Sequence, residues 1–151
     1  VHLQGRAFME GKGRKMISPF LAADEFLKTI PETTKVVLVD FHAEATSEKN
    51  AMAWFLDGRV TALVGTHTHI PTADPWVLPG GTAFVTDVGM SGARHSVLGV
   101  VPEIVIKKQK DTGPARFEWV ETGPKVFNSV LVETDKKMKA KSIKRIDRVI
   151  D

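Results

Sequence analysis

The sequence predicts an α/β fold with a β-rich C-terminal half. Three observations carry this. Apolar runs and amphipathic stretches alternate as strand, helix, strand, helix, strand as far as Val64, the order of an α/β unit. The runs Val36–Phe41 and Thr61–Val64 are apolar nearly throughout, as in strands covered on both faces. Beyond Pro79 the chain turns to short strand candidates set apart by Gly-Pro steps.

Residues 1–4 read as a short strand, followed by a Gly/Lys-rich loop from Gly5 to Lys15. Ser18-Pro19 predicts an N-cap followed by Pro at the first helical position. The helix Pro19–Ile30 places Phe20, Ala23, Leu27 and Ile30 on one face. After the strand Val36–Phe41, a second helix is expected near Ser47. Ala51, Trp54 and Phe55 form its apolar stripe, Trp54 and Phe55 are assigned to the core, and Asp57-Gly58 stops it. Thr61–Val64 is the next strand. Asp74 fits the cap of a turn before Pro75. Pro79-Gly80-Gly81 is a turn, Thr82–Thr86 a short strand and Asp87–Gly92 a glycine-spaced loop. Pro102–Lys108 fits either a helix or a strand. Ala115–Glu121, Val126–Thr134 and Ser142–Ile150 are the final strand candidates.

A chain of 151 residues suffices for one domain with a real core, and 42% hydrophobic with 26% charged residues fits a globular protein. No apolar run approaches the roughly 20 residues of a membrane helix. With no cysteine, disulfides and thiolate ligands are excluded; a cytoplasmic location is expected. The start, Val1 to Arg6, lacks the plan of a secretory leader. It reads instead as a strand entered midway, so the chain is expected to be the C-terminal portion of a longer domain. Residues 136–148 hold seven Lys or Arg against one acid, within a net charge of +3. Without interleaved aromatics to stack on bases, this favours a solvated hairpin whose lysines protect an edge strand over a nucleic-acid surface.

The chemistry gathers at Gly65-Thr66-His67-Thr68-His69, directly after a predicted strand. Side chains two apart on a strand share a side, and neutral imidazole is a common ligand of zinc, iron and manganese-type ions. A third histidine, His42, ends the run Val36–Phe41. Ligand sites in α/β sheets lie beyond the carboxyl ends of the strands, where all three fall. Together they suggest part of a metal site; His2 and His95, outside the cluster, are assigned as ordinary hydrogen-bonded residues. Asp40 and Glu44 flank His42, and either fits a ligand or an acceptor that orients an imidazole. Thr66 and Thr68 are candidates to bond ligands or phosphate, and the backbone N–H groups of the Asp87–Gly92 loop to meet an anion or the metal site. No Walker loop, G-x-S-x-G or dinucleotide fingerprint occurs.

These residues resemble a family. Asp40-Phe41-His42-Ala43-Glu44-Ala45-Thr46-Ser47-Glu48-Lys49 is similar to a signature of the YmdB-like metallophosphoesterases, in the calcineurin-like superfamily. So are Val64-Gly65-Thr66-His67-Thr68-His69-Ile70, Thr72-Ala73-Asp74, Leu78-Pro79 and Thr86-Asp87-Val88-Gly89-Met90. The matches run in order over nearly the whole chain, with His2 where relatives carry Asn. The resemblance implies a four-layer α/β/β/α sandwich and a dinuclear centre of divalent ions, iron or manganese foremost and zinc as a further choice. It implies phosphodiesterase activity on small phosphodiesters, 2′,3′-cyclic nucleotides among them, with a metal-bridging hydroxide as nucleophile. His42 and His67 would bind one ion and His69 the other, with Asp87, Gly89 and their neighbours lining the pocket as support rather than as ligands.

Such enzymes are longer and begin with an Asp on the first strand, a Glu-Asn pair and an Asn-His pair, none of which occurs here. No catalytic residue is therefore assigned within the chain. Three neutral histidines do not offset the charge of two divalent ions, so the chain alone is expected to bind metal weakly and turn over little. The missing N-terminal half is an expected partner, self-association is left open, and no membrane partner is expected. Two rivals stand beside this: a non-catalytic or degenerate binding domain, and another metal-dependent hydrolase. An amidohydrolase barrel opens its site with His-x-His, but it needs eight strand–helix repeats, and the β-rich second half argues against it.

Overall fold

The computed structural model describes residues 1–9, 16–111 and 113–151; most of the predicted Gly/Lys-rich loop lies outside them. The elements are β1 (His2–Gln4), α1 (Pro19–Thr29), β2 (Leu38–His42), α2 (Thr46–Leu56), β3 (Ala62–Thr66), β4 (Trp76–Val77), β5 (Ala83–Val85), β6 (Gly92–Ala93), α3 (Pro102–Lys110), β7 (Lys125–Phe127), β8 (Val130–Thr134), β9 (Ala140–Arg145) and β10 (Arg148–Ile150). The fold is mixed α/β, as the alternation of the first half predicts.

The main sheet has the order β1-β2-β3-β5-β4. Its first four strands are parallel and the edge strand β4 runs antiparallel. Helices α1 and α2 cover one face. Ala23 of α1 and Met52, Ala53 and Leu56 of α2 pack there on Val39, Phe41, Leu63 and Phe84. Pro19 occupies the first turn of α1 as expected, but Ser18 makes no side-chain cap bond.

The stripe on α2 differs from the prediction. Its buried residues are Lys49, Met52, Ala53 and Leu56, a spacing of three, four and seven. Ala51 and Trp54 are exposed, and Phe55 is half-buried against the ring of Phe20. The helix is turned so that a lysine, polar by type, sits inside. Trp54 is therefore not core, and it packs at the surface on Trp76 with ring centroids 5.8 Å apart.

On the second face, Ala62, Ala83 and Val85 meet Ala140 and Ile143 of the antiparallel β8–β9 pair. The layers are thus helix, sheet, sheet. This second cover is incomplete. Val36 and Leu38 are exposed, and a cleft of about 530 Å³ runs between them, Val64, and Val130 and Val132 of β8.

The strand-rich half departs from expectation in detail. Pro102–Lys110 is a helix, and Ala115–Glu121 holds only a single bridge from Trp119 to Val100. Val126–Thr134 divides at Asn128-Ser129 into β7 and β8, and Ser142–Ile150 divides at Ile146-Asp147 into β9 and β10. The two breaks face each other. Ser129 N donates to Asp147 Oδ1 at 2.9 Å and Ile146 N to the Ser129 carbonyl at 3.1 Å, making a corner where both strands change sheets. Among the described residues no helix is long and apolar enough to cross a membrane.

Candidate functional site

Parallel pairing of β1, β2 and β3 puts Gln4, His42 and Thr66 in one register row at the carboxyl ends of the strands. His42 is the last residue of β2, and His67 is the first beyond β3. Their imidazoles meet edge to face, with His42 Nε2 and His67 Nδ1 2.9 Å apart. The Thr66 hydroxyl donates to Asp40 Oδ1 at 2.8 Å, so it accepts from His42 Nδ1 at 3.1 Å. That hydrogen bond fixes the proton of His42 on Nδ1 and leaves the Nε2 lone pair facing His67. Burial, reinforced by the neighbouring His67, holds His42 below the usual imidazole value and so favours the neutral ring a metal requires.

The row continues on both sides. Asp40 Oδ2 lies 2.8 Å from His2 Nδ1, and His67 Nε2 lies 2.9 Å from Glu44 Oε2. His2, Asp40, Thr66, His42 and His67 therefore form one hydrogen-bonded chain across the strand ends, with the Glu44 carboxylate set against its far end.

His67 and His69 depart from strand geometry. Their φ angles are +108° and +68°, so the rule that residues two apart share a side does not apply. Left-handed conformations of this kind cost about 1–3 kcal/mol each unless their surroundings enforce them. Asp87 is the residue that anchors the loop between them. Its Oδ2 accepts from Thr68 N at 3.0 Å and Thr68 Oγ1 at 2.7 Å, and its Oδ1 accepts from Gly89 N at 2.9 Å. Lys49 Nζ, reaching in from α2, lies 3.0 Å from the same Oδ2. Burial pushes the Asp87 carboxyl up, but the bonds from Thr68, Gly89 and Lys49 more than offset it and hold it low. Met90 N closes the loop onto the His69 carbonyl at 3.0 Å.

Two glycines are required by this packing. A Cβ on Gly65 would stand 1.7 Å from the Thr86 carbonyl oxygen. Gly89 has φ +83°, and a Cβ there would stand 2.8 Å from Pro71 Cδ.

The structure thus brings His42, His67, Asp40, Glu44 and Thr66 into one row and anchors Thr68 through Asp87 and Gly89. His69 is exposed and stands outside the row. Among the described residues no three His, Asp or Glu groups converge as a metal-binding cluster. The His42–His67 pair nonetheless suits two ligands of one ion. Nitrogens bound at about 2.1 Å and roughly 90° apart are separated by about 3 Å. The hydroxyl-to-imidazole bond at His42 is also the kind that orients a ligating histidine.

Sequence reasoning misses Lys49 and sets His2 aside. Lys49 has a signal: it stands three, four and seven residues before Met52, Ala53 and Leu56, so a helix that buries those buries it too. His2 lies opposite Asp40 in the β1–β2 register, a relation visible only once the strands are paired. Asp74, expected to cap a turn, accepts instead from the Thr86 amide at 3.3 Å and from the Thr86 hydroxyl. Arg145 of the basic segment donates to the Val88 and Thr72 carbonyls at 2.8 and 3.3 Å, tying the loops behind the site to β9.

Imidazoles gathered beyond the carboxyl ends of parallel strands place the molecule among α/β proteins with a strand-end site. The chain belongs to the family of YmdB-like proteins, whose model matches residues 1–146. It is 44% identical over 150 residues to the 2′,3′-cyclic-nucleotide 2′-phosphodiesterase of Bacillus subtilis (strain 168), a match that takes in 99% of this chain and 54% of that protein. Among solved structures it is similar to a hypothetical protein from Thermus thermophilus, with a TM-score of 0.88 and 38% identity over 99% of this chain and 56% of that one. It is also similar to a novel phosphatase from Mycoplasma pneumoniae, with a TM-score of 0.85 and 36% identity over 98% of this chain and 52% of that one. The chain spans about half the length of these relatives.

Proposed function

We propose that this chain forms the histidine-bearing part of a metal-dependent phosphodiesterase that acts on small phosphodiesters, 2′,3′-cyclic nucleotides foremost. The observation that carries this is the His42–His67 pair, with the Nε2 lone pair of His42 turned toward its neighbour by Thr66 and Asp40. His42 and His67 would hold one divalent ion and His69 the other; iron or manganese, with zinc as a further choice, suits imidazole donors. When bound, such ions polarise the phosphodiester and offset its charge. The chain's own residues then have distinct tasks. Thr66 and Asp40 keep His42 in its ligating tautomer, Glu44 orients His67, and Asp87 with Gly89 holds the loop that carries His67 and His69.

The remaining length of the family would supply the acidic side of the centre. We place it against the open cleft at Val36, Leu38 and Val132, where it would complete the second sheet, with a fourth, helical layer covering that sheet from outside to finish one domain. A cytoplasmic setting accords with the lack of cysteine. The test is metal analysis of the purified chain together with hydrolysis of 2′,3′-cyclic AMP. Weak metal uptake that His67→Ala abolishes, with little turnover by the 151-residue chain, is expected. Robust turnover by the isolated chain would sink the division of the site. Metal uptake indifferent to His67→Ala would favour a binding role instead.

A further inference from the structure

We infer that Lys49 and Asp87 are a positioning pair, whose task is to lock the backbone of His67-Thr68-His69 so that both imidazoles are presented from one fixed loop. The inference deepens the metal-site reading above and rests on it for its purpose. Neither residue hydrogen-bonds an imidazole.

Both side chains are about 1% exposed. Burying an ion pair is costly, and apolar residues of similar volume often serve stability as well or better. Stability alone therefore gives little reason for a lysine at the centre of the packed face of α2. The geometry supplies another. The Asp87 carboxylate receives four hydrogen bonds: one from Lys49 Nζ, one from Gly89 N, and two from Thr68, the residue between the two histidines. Asp87 is itself held at both ends, its N–H donating to the Thr72 hydroxyl at 2.9 Å and its carbonyl accepting from Thr72 N at 3.0 Å. The two residues flanking Thr68 are the ones with left-handed φ, and such conformations persist only where the surroundings over-determine them. Lys49 reaches Asp87 along a path that the glycine at 65 leaves open; a Cβ there would lie 3.1 Å from Lys49 Cδ. The ammonium thus compensates the charge of a carboxylate whose remaining capacity is spent on the histidine loop.

Amide hydrogen exchange on the chain without added metal tests this independently of the metal reading, which His67→Ala and metal analysis address. In Lys49→Met, the amides of Thr68 and Gly89 should exchange about tenfold faster or more relative to Leu63 in β3. In Lys49→Met/Asp87→Leu, thermal stability should recover while the Thr68 amide stays unprotected. The inference is overturned if Thr68 keeps its protection in Lys49→Met, if Thr68 and Leu63 lose protection in step, or if the double variant regains it. Should Lys49→Met fail to fold, Thr68→Val cuts the hydroxyl link from the solvent side. Faster exchange at Gly89 with Leu63 unchanged then supports the pair, and no change at Gly89 overturns it.

Discussion

His42 Nε2 and His67 Nδ1 face each other at 2.9 Å from two neighbouring strand ends. Because the Thr66 hydroxyl commits His42 to a proton on Nδ1, nitrogen NMR should find that tautomer near neutral pH. Titration with Mn²⁺ should broaden the signals of both rings over the same concentration range. Broadening confined to one ring would show that the two do not share an ion.

Thr66 joins Asp40 to His42 through its hydroxyl. Thr66→Val keeps the shape of a strand residue but leaves His42 free to change tautomer. Losing a partner that orients a ligating histidine typically costs about 10–100-fold in metal affinity. Calorimetric titration should show a loss of that size, with the melting temperature nearly unchanged.

Gly65 is held by contact rather than by its φ. Gly65→Ala forces a methyl group against the Thr86 carbonyl, and neither backbone can yield without moving β3 from the strand-end row. A destabilisation at or above the ~3 kcal/mol end of ordinary overpacking is expected from denaturant unfolding.

Asp74 gives a pH dependence with a definite sign. Burial pushes its carboxyl up, but hydrogen bonds from Thr72 and Thr86 prevail and hold it below the usual carboxylate value. A folded-state value below the unfolded one adds stability that is fully present above the ordinary carboxylate range of about pH 4 and is lost as pH falls through the lower folded value. Melting temperatures followed from about pH 5 down to about pH 2 should fall less in Asp74→Asn than in the parent chain.

The corrected face of α2 makes opposite predictions for two large residues. Met52 is fully buried, and Met52→Ala should cost about 2–5 kcal/mol. Trp54 is exposed and stacks edge-on with Trp76, so Trp54→Ala should cost nearer ~1 kcal/mol, the order of one aromatic pair. Urea unfolding of the two variants compares them directly.

What can be read from the sequence follows from range. The alternation of apolar runs is local, and it predicts the order β1, α1, β2, α2, β3 and the placing of His42 and His67 at strand ends. The orientation of α2 is not local. Its stripe looks like Ala51, Trp54 and Phe55 until a buried carboxylate is known to wait for Lys49, and that carboxylate lies 38 residues onward at Asp87. The same holds for His2, whose place beside Asp40 depends on strand pairing. The last strand candidates are visible in the chain but their division is not, because the corner between Ser129 and Asp147 is formed by two segments distant in sequence. The strained turn at His67 and His69 carries no glycine to announce it; its cause is the Asp87 clamp, which appears only in three dimensions.

The lysine that crosses from α2 to Asp87 has a mechanical consequence. Its side chain is a strut of four methylenes with a charge at the far end, and a slip of the helix by one turn, about 5.4 Å, far exceeds the play in a 3.0 Å ion contact. Helix and histidine loop must therefore travel as one rigid part, and a force that shifts the outer surface of α2 is felt at the tips of the strands.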